Sequence, residues 1–513
     1  MAREQSIYQW FLRSARRYPG QPAIIVGGAE FNYRQLHLAA IRAARLMLRA
    51  GDGRPERVGV VVGRNLGTFA GYLGAQRLAA AVVPLNSDFP VARNVAAVQA
   101  ADLDVLVTPH ESRAIGEALA AASGARSVVL PENEPLVGPL AAEPVDHLPY
   151  PAMPDDLAYI LFTSGSTGAP KGVPIRHASV SAYVEYNAGL YEVGPNSRLA
   201  LTSDLTFDLS GFALFLAWAG AGAIVVPEKA ELLEPARLVA QHEITHWLSV
   251  PSVVSLAKQL ETLPPDSMPT LRWSLFIGEP LTIDQALAWY EAAPYSTVEN
   301  LYGPTEVTIS CTSYRLPADP ASWPSVNGTV PIGAPYPEVE CLVVDESGRL
   351  SDEGELLLRG VQRFDGYLDP ALNAGRFAFW DGATAQPYDG STELTAEHWY
   401  RSGDRVRYQH GELFHLGRVD NQLKVRGYRI EPGDIEAVLR THPAVNDAVV
   451  VPTGNSADEL ELAAMYTGRP ADSNELTEYL AERLPAHMVP ERFTWLSAFP
   501  LNVNGKVDRG RLS

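Results

Sequence analysis

The sequence predicts an α/β protein of two domains, a large one of parallel-rich sheets flanked by helices plus a β-rich subdomain, and a small α+β one after it. Three observations carry this. The 513 residues exceed what one ordinary core organises. Short apolar runs, "RVGVVVG", "AVVPL", "DVLVTP" and "AIVVP", alternate with helical stretches such as "RQLHLAAIRAARLMLRAG", the texture of parallel sheets covered by helices. From about Gly354 the chain turns to short half-polar strand segments with Gly-containing turns, "GELLLRG" and "HWYRSGDRVRYQHGELFHLGRVDNQLKVRGYRI".

In chain order, the first segment spaces Ile7, Trp10, Phe11 and Ala15 on one helical face and lacks the continuous apolar core of a signal peptide, so it reads as an amphipathic helix. The proline- and acid-rich stretch of residues 130–156 reads as a surface connection. Residues 209–227, "LSGFALFLAWAGAGAIVVP", approach the length of a membrane span. Asp208 and Ser210 as N-cap residues, Gly220 and Gly222 as a stop, and the β-branched "AIVVP" instead predict a buried helix followed by a buried strand. No membrane insertion is expected. Beyond "GRVD", "PGDIEAVLRTHPAVNDAVVVP" predicts a helix then a strand, and "SNELTEYLAERLP" another helix.

A formal net charge of −19 argues against nucleic acid or an anionic membrane as the main partner. The two cysteines, Cys311 and Cys341, form no CxxC pair and read as small buried hydrophobes, so a reducing cytoplasm is the simplest compartment.

The chemistry starts in "YILFTSGSTGAPKGVPIRHASV", residues 159–180. Successive backbone N–H groups of a Gly/Ser/Thr-rich turn form an anion cradle, the hydroxyls of Thr163, Ser164, Ser166 and Thr167 add donors, and Lys171 adds charge. No Ser or Thr follows the lysine, so this is not a Walker A loop. Alone it reads equally as a flexible surface turn; the strand-like "AYILF" before it favours a polyphosphate site.

Four further segments follow in order: "NLYGPTEVTIS", "YRSGDRVRY", "GRVDNQLKVRGYRIEPGDIE" and "NVNGKVDRGRL". With the loop, over nearly the whole chain, they resemble the adenylate-forming enzymes, in particular the adenylation domains of nonribosomal peptide synthetases and their stand-alone relatives. The resemblance implies activation of a carboxylate with ATP to an acyl-adenylate and pyrophosphate, then transfer to a thiol. It places the β- and γ-phosphates on Thr163, Ser164, Gly165, Ser166, Thr167, Gly168 and Lys171. Tyr302 would stack on adenine beside Asn300, within a nucleotide loop that includes Gly303 and Thr305. Glu306 would help hold Mg²⁺, Asp404 would clamp the ribose, and Arg418 would lie at the ribose and phosphate edge. Lys506 would approach both the substrate carboxylate and the α-phosphate. The domains implied are 1–418 and a mobile 419–513, with a hinge near Asp420 that brings "KVRGYRI" inward for thiol transfer and Lys506 outward. Pro432 departs from the pattern, where leucine is common.

"TSDLTFDLSGFALF" bears on the substrate. Asp208 matches the acidic residue that amino-acid-activating members pair with the α-ammonium; its structural alternative is a helix cap. By position in the pattern, Leu209, Phe212, Leu248, Leu275, Ile277, Leu301, Ile309 and Ser310 would line a narrow, uncharged side-chain pocket. That implies a small aliphatic amino acid, alanine first and proline second. "LFIGEPL" and "FDLS" are similar to the stand-alone D-alanine ligases, with enzymes that load small L-amino acids equally similar. The thiol is expected on a discrete carrier protein acting in trans. An acyl-CoA ligase and a catalytically silent module of the same fold are the competing readings; Asp208 argues against the first, and the set Lys171, Glu306, Asp404, Arg418 and Lys506 against the second.

Overall fold

The structure is a computed structural model that describes residues 6–51, 53–138, 149–163, 170–420, 422–454, 460–500, 507 and 509–512. Two sheets dominate the first three hundred residues. One has six strands in the order Arg126–Val129, Val105–Thr108, Arg57–Val62, Ala81–Asn86, Leu157–Thr163, Lys171–Arg176; every pairing is parallel except the last, an antiparallel hairpin. The other has nine strands, with a parallel centre running from Thr297–Tyr302 through Trp273–Phe276, His246–Ser249, Arg198–Ala200 and Ala223–Val226 to Pro22–Val26. The predicted alternation of apolar runs and helices is therefore present.

One continuous core joins both sheets through helices that are buried on nearly every side. Leu66–Arg77 is buried at all positions, and Ser210–Gly220 at all but the last. The first helix, Ile7–Arg17, opens with a reciprocal Ser6/Gln9 cap and buries Ile7, Phe11 and Ala15, with Trp10 half-buried. Phe11 meets Trp218 edge-on at 6.1 Å, and Ser14 donates to the Trp218 carbonyl at 2.6 Å. Residues 209–227 thus form a buried helix and strand, and no helix among the described residues is long and apolar enough to cross a membrane.

The structure refines four local expectations. Ser210 is the first helical residue and Leu209 the cap position, with no side-chain cap bond; Ser210 Oγ donates back to Phe207 O instead, and Asp208 is turned elsewhere. The helix stops on Ala221, which takes the left-handed conformation at φ 61°, whereas Gly220 is needed for space, since a Cβ there would lie 2.4 Å from Val193 O. The 130–156 connection contains the short helix Asn133–Val137, and Arg42 donates to the Gly138 carbonyl at 3.2 Å. Cys311 is buried but Cys341 only half-buried; burial pushes the Cys341 thiol up to about 12.

The half-polar segments form an antiparallel sheet centred on Trp399–Gln409, flanked by Glu353–Gly360, Phe377–Trp380 and Glu412–Arg418. After Asp420 comes a hairpin of Leu423–Val425 and Tyr428–Ile430, then the helix Pro432–Leu439 and the sheet Val445–Thr453, Glu461–Gly468, Arg492–Trp495, around a separate core that includes Ile430, Ile435, Leu439 and Val450. Pro432 occupies the first helical turn, where its missing N–H costs nothing and its fixed φ suits the helix.

Candidate active site

The strand Leu157–Thr163 returns through Lys171–Arg176 with Thr163 directly opposite Lys171, so the ends of the Gly/Ser/Thr loop meet at one point. Ser164, Gly165, Ser166, Thr167 and Gly168 lie outside the described residues, as does Lys506. Lys171 is 5 % exposed and its Nζ sits 3.3 Å from Glu431 Oε1; burial draws its pKa down against the pull of that carboxylate.

The strand Thr297–Tyr302 carries Asn300, Leu301 and Tyr302 inward, and the single turn Thr305–Val307 presents Glu306. Gly303 makes that connection possible, because a Cβ would fall 2.6 Å from Ser310 Cα. Asn300 Nδ2 donates to Pro331 O at 2.8 Å, and its Oδ1 is buried with no partner. Glu306, 1 % exposed, accepts from Tyr367 OH at 2.8 Å and from Arg429, whose NH1 lies 2.8 Å from Oε2. Burial alone would raise its pKa, but the Arg429 guanidinium and these bonds hold the carboxyl below the usual range.

Asp404 and Arg418 face each other across two strands at 2.9 Å. Tyr302 OH donates to Asp404 Oδ2 at 2.7 Å, and His415 Nε2 lies 3.1 Å from Oδ1. Burial opposes the charge, yet the His415 bond with Lys424 and Arg418 holds Asp404 far below the ordinary carboxylate range, so it is an oriented anion. Lys424 Nζ stands 5.6 Å from the centre of the Tyr302 ring, and Arg418 Nε reaches Asp420 at 2.6 Å.

Thr163, Asp208, Leu209, Thr305, Asp404 and Arg418 border one cavity of about 100 Å³. Asp208 is 8 % exposed, bonds to the Thr305 side chain, and has no ion pair among the described residues; burial raises its pKa to about 6, against that Thr305 bond. Phe212, Leu248, Leu275, Ile277, Leu301 and Ile309 sit together in the core rather than on the cavity wall, and buried Ser310 bonds with Tyr336 OH at 3.0 Å. The sequence missed His415, Tyr367, Gln422, Arg429 and Glu431, whose roles depend on partners up to 260 residues away. The charge density of "KVRGYRIE" was the available signal.

Residues 11–368 match the AMP-binding enzyme family, and residues 434–506 match the AMP-binding enzyme C-terminal domain. The chain belongs to the AMP-binding enzymes. It falls in the adenylate-forming branch of nonribosomal-peptide-synthetase type. It is 34 % identical over 97 % of its length to the phosphinothricin tripeptide synthetase PhsC of Streptomyces viridochromogenes, covering 44 % of that protein. It is 30 % identical over 99 % of its length to the phenyloxazoline synthase MbtB of Mycobacterium tuberculosis, covering 34 %. The chain thus spans less than half the length of either relative. Among solved structures, IdnL7 is 36 % identical with a TM-score of 0.71, covering 99 % of this chain and 98 % of that one. The Vibrio cholerae adenylation domain AlmE, solved with glycyl-adenosine-5′-phosphate, is 28 % identical with a TM-score of 0.82, covering 99 % and 96 %.

The residues of this AMP-binding enzyme suit a magnesium nucleotide. The unpartnered Asn300 Oδ1 is an acceptor for an amine, and Asp404 is a fixed anion beside the cavity. At Glu306 the Arg429 guanidinium supplies a positive charge against the carboxylate. Among the described residues no cluster of three or more metal-ligating side chains occurs.

Proposed function

We propose that this enzyme activates a small aliphatic amino acid, alanine in first place, with ATP, and passes the aminoacyl group to the phosphopantetheine thiol of a separate carrier protein. The observation that carries the amino-acid reading is Asp208, a buried carboxylate that has no ion pair among the described residues, feels Arg429 only at a distance, and borders the same cavity as Asp404 and Arg418. A substrate ammonium supplies the missing charge. The bulky residues packed behind it leave little depth, and AlmE's glycyl-adenylate supports a small side chain, glycine included.

In the first half-reaction a carboxylate oxygen of the amino acid attacks the α-phosphorus and the bond to the β-phosphate breaks, releasing pyrophosphate. Asn300 and Tyr302 hold adenine, Asp404 and Arg418 the ribose, and Thr163 through Lys171 the phosphates. Mg²⁺ held by Glu306 supplies neutralising charge when bound. Residues 1–418 and 419–513 act as two bodies about a hinge at Asp420, which lies 3.7 Å from Arg376 as well as against Arg418.

Lys506 we assign to the carboxylate and α-phosphate. Lys506→Ala should lower amino-acid-dependent pyrophosphate release by at least about 10- to 200-fold, from the loss of a charge-assisted bond of about 1.5 to 3 kcal/mol. Transfer from a preformed aminoacyl-adenylate should fall far less; equal loss in both steps would remove the role.

The state of Asp208 sets a pH dependence. Only the carboxylate pairs with an ammonium, so kcat/KM for the amino acid should rise about tenfold per unit up to about pH 6 and level off above it. Stability should move oppositely. A carboxyl raised above its unfolded value favours folding while protonated, so stability falls from about pH 4 to 6 and is flat beyond. Asp208→Asn should flatten both trends. Incubation with a phosphopantetheinylated carrier protein, alanine and Mg-ATP, read as a mass shift of one alanyl group, tests the acceptor. Loading of free coenzyme A with a simple carboxylic acid would instead favour the acyl-CoA ligase reading.

A further inference from the structure

The hairpin of residues 423–430 and its flanks bring opposite charges to two groups that the proposed function reserves for ligands. Arg429 occupies both oxygens of Glu306, at 2.8 and 3.1 Å. Two residues on, Glu431 lies 3.3 Å from Lys171 Nζ. All four side chains are shielded, at 20 % exposure for Arg429, 1 % for Glu306, 6 % for Lys171 and 10 % for Glu431. The alternation of an extended chain explains the spacing: Arg429 and Glu431 face the large domain while Ile430 between them is fully buried in the small-domain core. Gln422 ties the pair together, its Oε1 accepting from Arg429 Nε at 2.9 Å and its Nε2 donating to Glu431. The hairpin tip is seated as well. Gly427 N–H donates to Glu279, and at φ +80° a Cβ there would lie 2.5 Å from Val250 Cγ1.

We propose that Arg429 and Glu431 are positioning residues that stand in for magnesium pyrophosphate, the guanidinium taking the cation's place on Glu306 and the carboxylate the phosphate's place beside Lys171. This rests on the assignment of Glu306 to Mg²⁺ and Lys171 to phosphate. Docking of the hairpin and retention of magnesium pyrophosphate then exclude each other, because both need the same two buried charges. The exchange also keeps those charges paired throughout: neither Glu306 nor Lys171 is left uncompensated when pyrophosphate departs, since the tethered pair arrives as a unit. Departure of pyrophosphate becomes the condition for the arrangement seen here, in which the hairpin faces the cavity.

The test is calorimetric binding of magnesium pyrophosphate, without amino acid, to the full chain. Competition reduces the apparent affinity by the fraction of molecules with the hairpin withdrawn. The double variant Arg429→Gln, Glu431→Gln should therefore bind magnesium pyrophosphate more tightly than the wild type, by about tenfold if roughly nine in ten molecules are docked. Arg429→Lys, which keeps a cation, should stay within about threefold. A side chain with a merely structural role would weaken binding or leave it unchanged, and either result overturns the proposal. A second measurement needs no change in the hairpin: spin labels on Tyr295→Cys and Glu478→Cys, both exposed positions, one in each domain. Their separation should shift on saturation with magnesium pyrophosphate, and an unchanged separation overturns the proposal. Absence of any magnesium-dependent pyrophosphate binding by the wild type would remove the phosphate-site assignment itself, and this inference with it.

Discussion

Asp208→Ala should reduce kcat/KM for the amino acid by about 30- to 4,000-fold, the cost of about 2 to 5 kcal/mol for truncating one member of a buried charge pair. Asp208 borders the cavity, is almost fully shielded, and has no competing ion pair among the described residues, so the substrate ammonium is its natural counter-charge. Folding should not suffer. An unpaired buried carboxylate is a liability in the free protein, and its removal should leave thermal stability equal or higher near neutral pH, where burial holds its pKa at about 6. Loss of activity with retained or increased stability is the signature of a binding group. Loss of both would make Asp208 a structural residue.

Asp404→Ala carries the second large effect, with the opposite stability outcome. A carboxylate that accepts from two ribose hydroxyls contributes about 1.5 to 3 kcal/mol per bond, so the KM for ATP should rise by two to four orders of magnitude. The same substitution strips a partner from Tyr302, His415 and Arg418 at once. Removing one member of a buried ionic cluster costs about 3 to 5 kcal/mol, so the transition on heating should come earlier. Arg418 retains Asp420, which tempers the loss. Asp404→Asn keeps the shape and should recover much of the stability without recovering ATP affinity.

Much of the architecture was legible because it is written locally. The helix Ser210–Gly220 and the strand after it follow from an apolar run interrupted by small residues, and the first helix from the spacing of Ile7, Phe11 and Ala15. The local signals failed where packing decides. Ala221 rather than a glycine adopts the left-handed stop, since the glycine beside it is consumed by the close approach of Val193. Ser210 does not cap its helix, since it bonds to Phe207.

Part of the candidate site was legible because its residues sit within recognisable motifs: Tyr302, Asp404 and Arg418 meet through hydrogen bonds in the structure. The side chains that charge and orient them were not legible. His415 holds Asp404, Tyr367 holds Glu306 from 61 residues away, and Arg429 reaches Glu306 across 123 residues. The first two pairs arise only when the large domain folds and the third only when the two domains meet, and no periodicity along the chain encodes either event. The side-chain pocket is the least legible part, because six of its expected lining residues are ordinary core apolars by composition and by burial alike.

Activation of an amino acid through its ammonium is read out by pyrophosphate release with Mg-ATP and hydroxylamine capture, comparing alanine of each hand and glycine with propionate and acetate. Strong release with one small amino acid and silence with its deaminated counterpart is the expected result, a contrast of up to about 10⁴- to 10⁵-fold when a buried polar group is left unpaired. Comparable release with propionate or acetate would contradict it.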